Sequence, residues 1–273
     1  MTQHRALLLA AAAILLANRV SAQDAQVMHW WTSGGESRAV AVFAKEYDKR
    51  GGKWIDGASV GPQAEHAAVL NAIAGGNPPA AFQWNIGVAV RQLAEQGLLA
   101  NLDDLAKAGD WSRHLPPLLV KNITVDGHVI AVPVNLHGAN WMWYSTKIFD
   151  DLSMAPPKSW DEFLAEADKI KAAGYLPIAM GGNSQQTGWL FYTTLAGVGG
   201  KDVYHKVFID HDATAAGSEA VRRAFETMCK IRQYADAGGS NRKWNDTLAL
   251  VETNKAAFMI AGDWPRVTFL QPA

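Results

Sequence analysis

Apolar and polar positions in the first hundred residues follow an order that predicts strands alternating with helices. Ala25–Trp31 is a short apolar run and predicts a strand, whereas Glu36–Arg50 spaces its apolar residues as an amphipathic helix does. The same order recurs with predicted strands over Lys53–Val60 and Ala80–Trp84 and predicted helices over Gln63–Ala74 and Val88–Gln96. Strands that alternate with helices predict a mostly parallel α/β sheet.

The pattern changes beyond residue 120. Asp126-Gly127 predicts a tight turn, and Val134–Ser145 predicts a long apolar strand. Ser159 followed by Glu162 matches the capping box that begins a helix. The remaining predicted elements are strands over Leu176–Met180 and Ala257–Ala261 and helices over Thr187–Val198, Ser218–Tyr234 and Leu248–Asn254. A change of composition at Pro133–His137 predicts an N-terminal α/β lobe over residues 23–133 and a C-terminal α/β lobe over residues 134–273.

The N-terminus has the pattern of a secretory signal peptide. Ala6–Ala17 is an uninterrupted apolar run that follows His4 and Arg5, and Val20-Ser21-Ala22 offers the small residues of a cleavage site. The run is too short to span a bilayer as a helix. We therefore expect cleavage after Ala22 and, in a bacterium with two membranes, a periplasmic protein.

Composition excludes several functional classes. The net charge of -1, from 25 basic and 26 acidic residues, disfavours a nucleic-acid partner. Cys229 is the only cysteine, which leaves no disulfide or cysteine-based zinc site, and its helical spacing predicts a core position. The eight histidines never fall at a metal-ligand spacing, so no metal site is predicted. Eleven tryptophans, in contrast, favour a stacking or recognition surface.

Three segments at strand ends combine indole rings with carboxylates or amides. Such segments suit a neutral polyol, because indoles cover the C–H face of a sugar ring and polar groups bind its hydroxyls, and ligands bind where strands of an α/β sheet end. For each segment the alternative is a capped turn beside a core tryptophan. Another alternative is a glycoside hydrolase that uses Glu36 and Asp263 as its two carboxylates. The segments are Trp30-Trp31 with Glu36, Phe82-Gln83-Trp84-Asn85, and Gly262-Asp263-Trp264.

Several motifs resemble those of bacterial ABC-transporter sugar-binding proteins. Pro156–Phe163 is similar to the helix start of this family, and Gly262-Asp263-Trp264 is similar to its Gly-Asp-Trp turn. Gly75–Trp84 and Gly127–Pro133 also match, although Ala81 stands where the family commonly has Asp. The run Pro133–Tyr144, which contains His-x-x-Asn-Trp-x-Trp, more narrowly resembles the glucose/mannose-binding type.

The resemblance implies a periplasmic binding protein type II-like fold, with two α/β lobes that a hinge closes on a sugar. It implies a monosaccharide ligand, with glucose as the first choice, no cofactor and no bond chemistry. The partner would be the membrane permease of an ABC importer, and the protein would be a monomer. For His137 the alternative role is hinge packing, and Trp143 and Trp189 are expected in the core. The substrate-binding residues that the resemblance implies are Trp30 or Trp31 and Trp244 for stacking, and Glu36, Gln83, Asn85, His137, Asn140 and Asp263 for hydroxyl contacts.

One departure from the family concerns the C-terminus. Family members continue well beyond the Gly-Asp-Trp turn, whereas this chain stops at Gln271-Pro272-Ala273. We therefore expect roughly the last third of a family member to be missing, and the first lobe to lack a strand and helices that would cover apolar surface. The alternative functions are a secreted carbohydrate-active enzyme or a truncated, non-functional binding protein.

Overall fold

A computed structural model describes residues 23–240 and 242–266 of the chain. Their contacts divide them into two compact units, of which the first ends at Val134 and the second begins at Asn135. The predicted signal peptide and its cleavage after Ala22 lie outside the described residues.

The first unit is built on a three-stranded parallel sheet in the order β2-β1-β3. Strand β1 is central, and its Asp24 to His29 pair with Lys53 to Ala58 of β2. Prediction and structure agree on most elements, but the strand expected over Ala80–Trp84 covers only two residues. The elements are β1 Asp24–His29, α1 Gly34–Lys49, β2 Lys53–Ala58, α2 Pro62–Ala74, β3 Ala81–Phe82, α3 Val88–Glu95, α4 Asp103–Ala108, α5 Trp111–His114, α6 Pro117–Asn122, β4 Thr124–Val125 and β5 His128–Val129.

Much of the apolar surface in the first unit is open to solvent. Helix α1 forms where its periodicity predicts it, but Val42 is 58% exposed and Phe43 is 44% exposed, whereas Val40 is buried. Ile55 on β2 and Leu70 on α2 are exposed as well. Each such side chain forgoes part of the roughly 1.5–3 kcal/mol that full burial contributes.

The second unit is built on a mixed sheet in the order β6-β8-β7. Strand β8 is central, antiparallel to β6 and parallel to β7. The long strand expected over Val134–Ser145 is wrong in extent, because only residues 141–144 pair with β8. The elements are β6 Trp141–Tyr144, α7 Thr146–Asp151, α8 Trp160–Ala172, β7 Leu176–Ile178, α9 Ser184–Phe208, α10 Ala213–Ala216, α11 Glu219–Arg232, a 3-10 turn Ala237–Gly239, α12 Trp244–Glu252 and β8 Ala256–Ala261.

The core of the second unit lies on both faces of β8. On one face Phe258 packs edge-on against Phe163 of α8, with ring centroids 4.9 Å apart. On the other face Met259 and Ala261 pack with Trp189 of α9, which is buried as expected. Every residue of β8 except Ile260 is buried, so the sequence of this strand is apolar throughout.

Helix α8 begins as its sequence predicts. Ser159 Oγ accepts a hydrogen bond from the backbone N–H of Glu162 at 3.1 Å. Glu162 Oε2 in turn accepts from the backbone N–H of Lys158 at 2.7 Å. The first bond satisfies an N–H group that a helix start leaves without a partner, whereas the second reaches the residue before the cap instead of the cap itself, which a capping box would reach.

Cys229 is exposed, and the prediction of a core position is wrong. Helix α11 buries Val221, Ala224 and Ile231. Since each residue of an α-helix turns by about 100° relative to the last, position 229 lies well away from the face that these three residues share. Phe225 of the same helix is 51% exposed and stacks on Phe191 with ring centroids 4.4 Å apart.

The cap at Ser159 provides a test of this fold. We expect Ser159→Ala to lower the free energy of unfolding by about 1 kcal/mol, because the N–H of Glu162 loses its side-chain acceptor. The matched control is Ser218→Ala, since Ser218 occupies the same N-cap position of α11 but its side chain makes no capping bond. Urea denaturation followed by circular dichroism measures both. Equal losses in the two variants would contradict the role of the cap.

Candidate functional site

The chain leaves β1 through Trp30 and Trp31 and enters α1 at Gly34. Ser33 caps this helix together with Glu36. Ser33 Oγ donates to Glu36 Oε2 at 2.5 Å, and the backbone N–H of Ser33 lies 3.4 Å from the same oxygen. Glu36 thus has a structural role at the helix start, and it stands half-buried immediately after the two tryptophans.

Gln83 links the ends of two neighbouring strands. Its Oε1 accepts a hydrogen bond from the backbone N–H of Trp30 at 3.1 Å. Trp30 follows β1 and Gln83 follows β3, so the bond holds the two strand exits side by side. The side-chain nitrogen of Gln83 is a donor that this bond does not use. Asn85, two residues further on, is exposed.

His66 of α2 completes an aromatic cluster with Trp30 and Trp84. The imidazole stacks on Trp84, with ring centroids 3.8 Å apart and an interplanar angle of 19°. Trp30 meets the same imidazole edge-on at 5.5 Å. Sequence reasoning missed His66, because a histidine in the first turn of a helix gives no signal until the helix is placed against β1.

Glu65, the residue before His66, is completely buried. Neither of its carboxylate oxygens has a hydrogen-bond partner among the described residues. Because burial disfavours the charged form, the pKa of Glu65 rises to about 7. Burial also lowers the pKa of His66, since it penalises the imidazolium.

In the second unit the structure brings His137 and Asp263 together. His137 Nδ1 lies 2.6 Å from Asp263 Oδ1, and Asn135 Nδ2 lies 2.6 Å from His137 Nε2. Since an amide nitrogen can only donate, Nε2 accepts and the imidazole proton lies on Nδ1, which donates to the carboxylate. We call His137 and Asp263 the imidazole–carboxylate pair.

The turn that carries Asp263 is fixed from three sides. Strand β8 ends at Ala261, opposite Trp141 of β6. The indole N–H of Trp143 donates to the carbonyl of Gly262 at 2.8 Å. Trp264 packs on Trp189, with ring centroids 4.6 Å apart, and meets His137 edge-on at 5.3 Å. Trp143 is half-buried in this packing, as expected from the sequence.

The two remaining predicted site residues lie elsewhere on the second unit. Asn140 is exposed and lines a groove of about 710 Å³ together with Met142 and Trp160. Trp244 is the first residue of α12 and packs, half-buried, against the core cluster that contains Trp189. Neither residue is a hydrogen-bond partner of the imidazole–carboxylate pair among the described residues.

Across residues 23–240 and 242–266, no group of three or more His, Cys, Asp or Glu side chains is arranged to hold a metal ion. Within these residues, no helix is both long enough and apolar enough to cross a bilayer.

A sequence profile of the family described as bacterial extracellular solute-binding protein matches residues 31–272. Two relatives carry the name "Probable sugar-binding periplasmic protein". The one from Brucella melitensis biotype 1 is 40% identical over 258 residues, which are 94% of this chain and 61% of the relative. The one from Rhizobium meliloti is 38% identical over 266 residues, 96% of this chain and 64% of the relative. The chain thus spans less than two thirds of the length of these relatives.

Solved structures share the fold. A chitin oligosaccharide binding protein superposes with a TM-score of 0.77 at 21% identity, covering 92% of this chain and 64% of the other. A sugar transporter from Arthrobacter chlorophenolicus A6 with bound laminaribiose gives a TM-score of 0.72 at 18% identity, covering 87% and 60%. The expected periplasmic binding protein type II-like α/β fold is confirmed.

The glycine in the Gly-Asp-Trp turn can be tested directly. A Cβ at Gly262 would lie 1.9 Å from the Trp264 ring, so we expect Gly262→Ala to displace this ring and to lower the free energy of unfolding by about 1–3 kcal/mol. Near-ultraviolet circular dichroism reports the ring, and denaturation reports the stability. The control is Gly188→Ala in α9, where a Cβ would meet Tyr192 only at 3.7 Å. An unchanged tryptophan signal in Gly262→Ala would contradict the packing described.

Proposed function

Because the chain belongs to the bacterial extracellular solute-binding protein family, we propose that it binds a sugar and delivers it to the membrane permease of an ABC importer. The names of its relatives support a sugar ligand and a periplasmic location. The proposal includes export through the signal peptide over residues 1–22 and a monomeric protein with no nucleic-acid partner.

The observation that carries this proposal is the imidazole–carboxylate pair at the end of β8. A carboxylate accepts hydrogen bonds from hydroxyls, and such charge-assisted bonds are short and strong. His137 uses Oδ1 of Asp263, which leaves Oδ2 to accept from a sugar hydroxyl. Since Trp143 and Trp264 fix the turn, Asp263 is pre-organised and pays little ordering cost on binding.

The first unit offers its own set of sugar contacts. Trp30 and Trp31 present indole rings, and Gln83 has a side-chain nitrogen that can donate to a hydroxyl. Glu36 and Asn85 follow these residues at the same strand exits and complete the set that we propose.

We assign a monosaccharide, and glucose first, as the ligand. The support is the run from Pro133 to Tyr144, whose His137, Asn140 and Trp143 resemble the glucose/mannose-binding type. In this assignment Asn140 contacts a hydroxyl and Trp244 provides a second stacking face. The solved structures named above are a chitin oligosaccharide binding protein and a sugar transporter with bound laminaribiose, so the test must include longer sugars.

The geometry favours binding over hydrolysis. In a glycoside hydrolase the two carboxylates act as acid and as base or nucleophile. Here Glu36 caps its own helix through Ser33, and Asp263 accepts from His137. Both carboxylates thus already have hydrogen-bonding roles within their own units. The named relatives are binding proteins rather than enzymes.

Calorimetry of the chain against hexoses, pentoses, disaccharides and chitin oligosaccharides tests the proposed function. We expect saturable heat with a hexose, D-glucose first, and no turnover of a glycoside. Asp263→Asn should weaken binding about tenfold or more, because a hydrogen bond to a charged group contributes about 1.5–3 kcal/mol. The control Asp246→Asn alters a solvent-exposed acid in the first turn of α12 and should leave the affinity unchanged.

Two outcomes would overturn the proposal. Absence of heat with every sugar, from a chain that unfolds cooperatively, would exclude sugar binding. Release of sugar from a glycoside, abolished in Asp263→Asn, would instead support the carbohydrate-active enzyme.

A further inference from the structure

Glu65 and His66 of α2 present two buried polar groups that lack partners. Both oxygens of Glu65 and the Nε2 atom of His66 are inaccessible to solvent and form no hydrogen bond with the described residues. Glu65 Oε2 and His66 Nε2 lie 3.7 Å apart, within ion-pair range but too far for a hydrogen bond. A buried polar group without a partner is costly, so the two groups have a strong reason to satisfy one another.

A single proton shared between Glu65 and His66 would satisfy both groups with one hydrogen bond. A carboxylic acid donates one hydrogen bond, and a neutral imidazole nitrogen accepts one. Burial raises the pKa of Glu65 to about 7 and lowers that of His66, so the proton is held by the carboxyl and the imidazole is neutral. A shift of less than an ångström along a flexible side chain closes the 3.7 Å distance to an ordinary hydrogen bond.

The strand on which α2 packs carries another histidine, His29, whose Nδ1 is buried without a hydrogen-bond partner among the described residues and whose Nε2 is engaged. Helix α2 packs on β1, whose last residue is His29. His29 Nε2 is bonded to Asp56 Oδ1 of β2 at 2.7 Å, and this bond lowers the pKa of Asp56. The acid of Asp56 is therefore ionised and paired with His29. His66 is the group that the structure sets within ion-pair distance of Glu65.

The position of His66 links Glu65 to the proposed sugar contacts. His66 stacks on Trp84 and meets the edge of Trp30. Trp84 stands between Gln83 and Asn85, and the backbone of Trp30 is bonded to Gln83. A change in the orientation of the His66 ring therefore moves the rings that border the proposed contacts.

We propose that Glu65 is a positioning residue that, in its protonated form, donates to His66 Nε2 and thereby fixes the aromatic cluster of Trp30, His66 and Trp84 for sugar binding. This inference rests on the proposed function, which names the sugar as ligand. Ionisation of Glu65 removes the donor and buries a charge without a partner, so the start of α2 must rearrange to hydrate it. Sugar affinity is therefore highest below neutral pH and falls as Glu65 loses its proton.

The first test needs no ligand. Nitrogen-15 NMR of the full chain follows the His66 ring nitrogens between about pH 5 and pH 8, the range in which such groups titrate. We expect a shift of the Nε2 resonance with a midpoint about 7, set by Glu65. Glu65→Gln should remove this transition, since an amide has the same shape and still donates but does not ionise. His66→Phe assigns the resonance and keeps a flat ring against Trp84.

The second test measures sugar affinity by calorimetry over the same pH range. We expect the affinity of the unchanged chain to fall about tenfold with rising pH, the equivalent of one pKa unit of coupling. Glu65→Gln should bind well at every pH, and Glu65→Ala should bind weakly at every pH. The control Glu95→Gln alters an exposed acid of α3 and should keep the pH dependence of the unchanged chain.

The failure of this inference is distinct from that of the proposed function. An Nε2 transition that persists unaltered in Glu65→Gln overturns the role of Glu65, whatever the ligand. Equal pH dependence of sugar affinity in the unchanged chain and in Glu65→Gln overturns it as well. If no sugar binds, the proposed function fails, and the NMR titration still decides whether Glu65 controls His66.

Discussion

The burial of strand β8 is the constraint on which the second unit depends. This strand lies between β6 and β7 and has core clusters on both faces, so its backbone has little freedom to move. Its exit is therefore a fixed point from which the Gly262-Asp263-Trp264 turn projects. His137 and Trp143 then bind this turn by hydrogen bonds from segments that are remote in sequence. A carboxylate held in this way can select a hydroxyl by position rather than by charge alone.

The first unit also holds its strand exits in place, but with fewer buried apolar side chains. Its sheet has three strands, and large apolar side chains on α1, β2 and α2 remain exposed. Order at the strand exits comes from the bond between Trp30 and Gln83 and from the stacking of His66 on Trp84. The buried carboxyl of Glu65 lies 3.7 Å from Nε2 of His66, a member of this stack. A unit with a small core and a buried ionisable group is more sensitive to pH than one held by apolar packing alone.

The sequence was most informative where the determinant was local. Ser159 and Glu162 define a helix start through contacts three residues apart, and the apolar run before Asp263 defines a buried strand. It was less informative where tertiary contacts decide. The apolar run from Val134 forms a strand only at residues 141–144, where β8 supplies a partner. Helix α9 extends to Phe208, and its backbone leaves the helical conformation only at Gly200, near the end predicted at Val198.

In the candidate site, too, local features could be predicted from the sequence and tertiary contacts could not. Its residue types could be proposed from strand exits and from family resemblance, but their pairing could not. His137 and Asp263 are separated by 126 residues, and nothing local predicts their hydrogen bond. Glu65 has the sequence signature of an ordinary acid in a first helical turn, which is usually solvated. Only the packing of α2 on β1 reveals that it is buried.

We propose that Asp263 binds a sugar hydroxyl while His137 holds it in place. A crystal structure of the chain grown with saturating D-glucose tests this claim most directly. We expect a sugar hydroxyl within hydrogen-bonding distance of Asp263 Oδ2, with the bond between His137 Nδ1 and Asp263 Oδ1 retained. A bound sugar that makes no contact with Asp263, or a chain that binds no sugar at saturation, would contradict it.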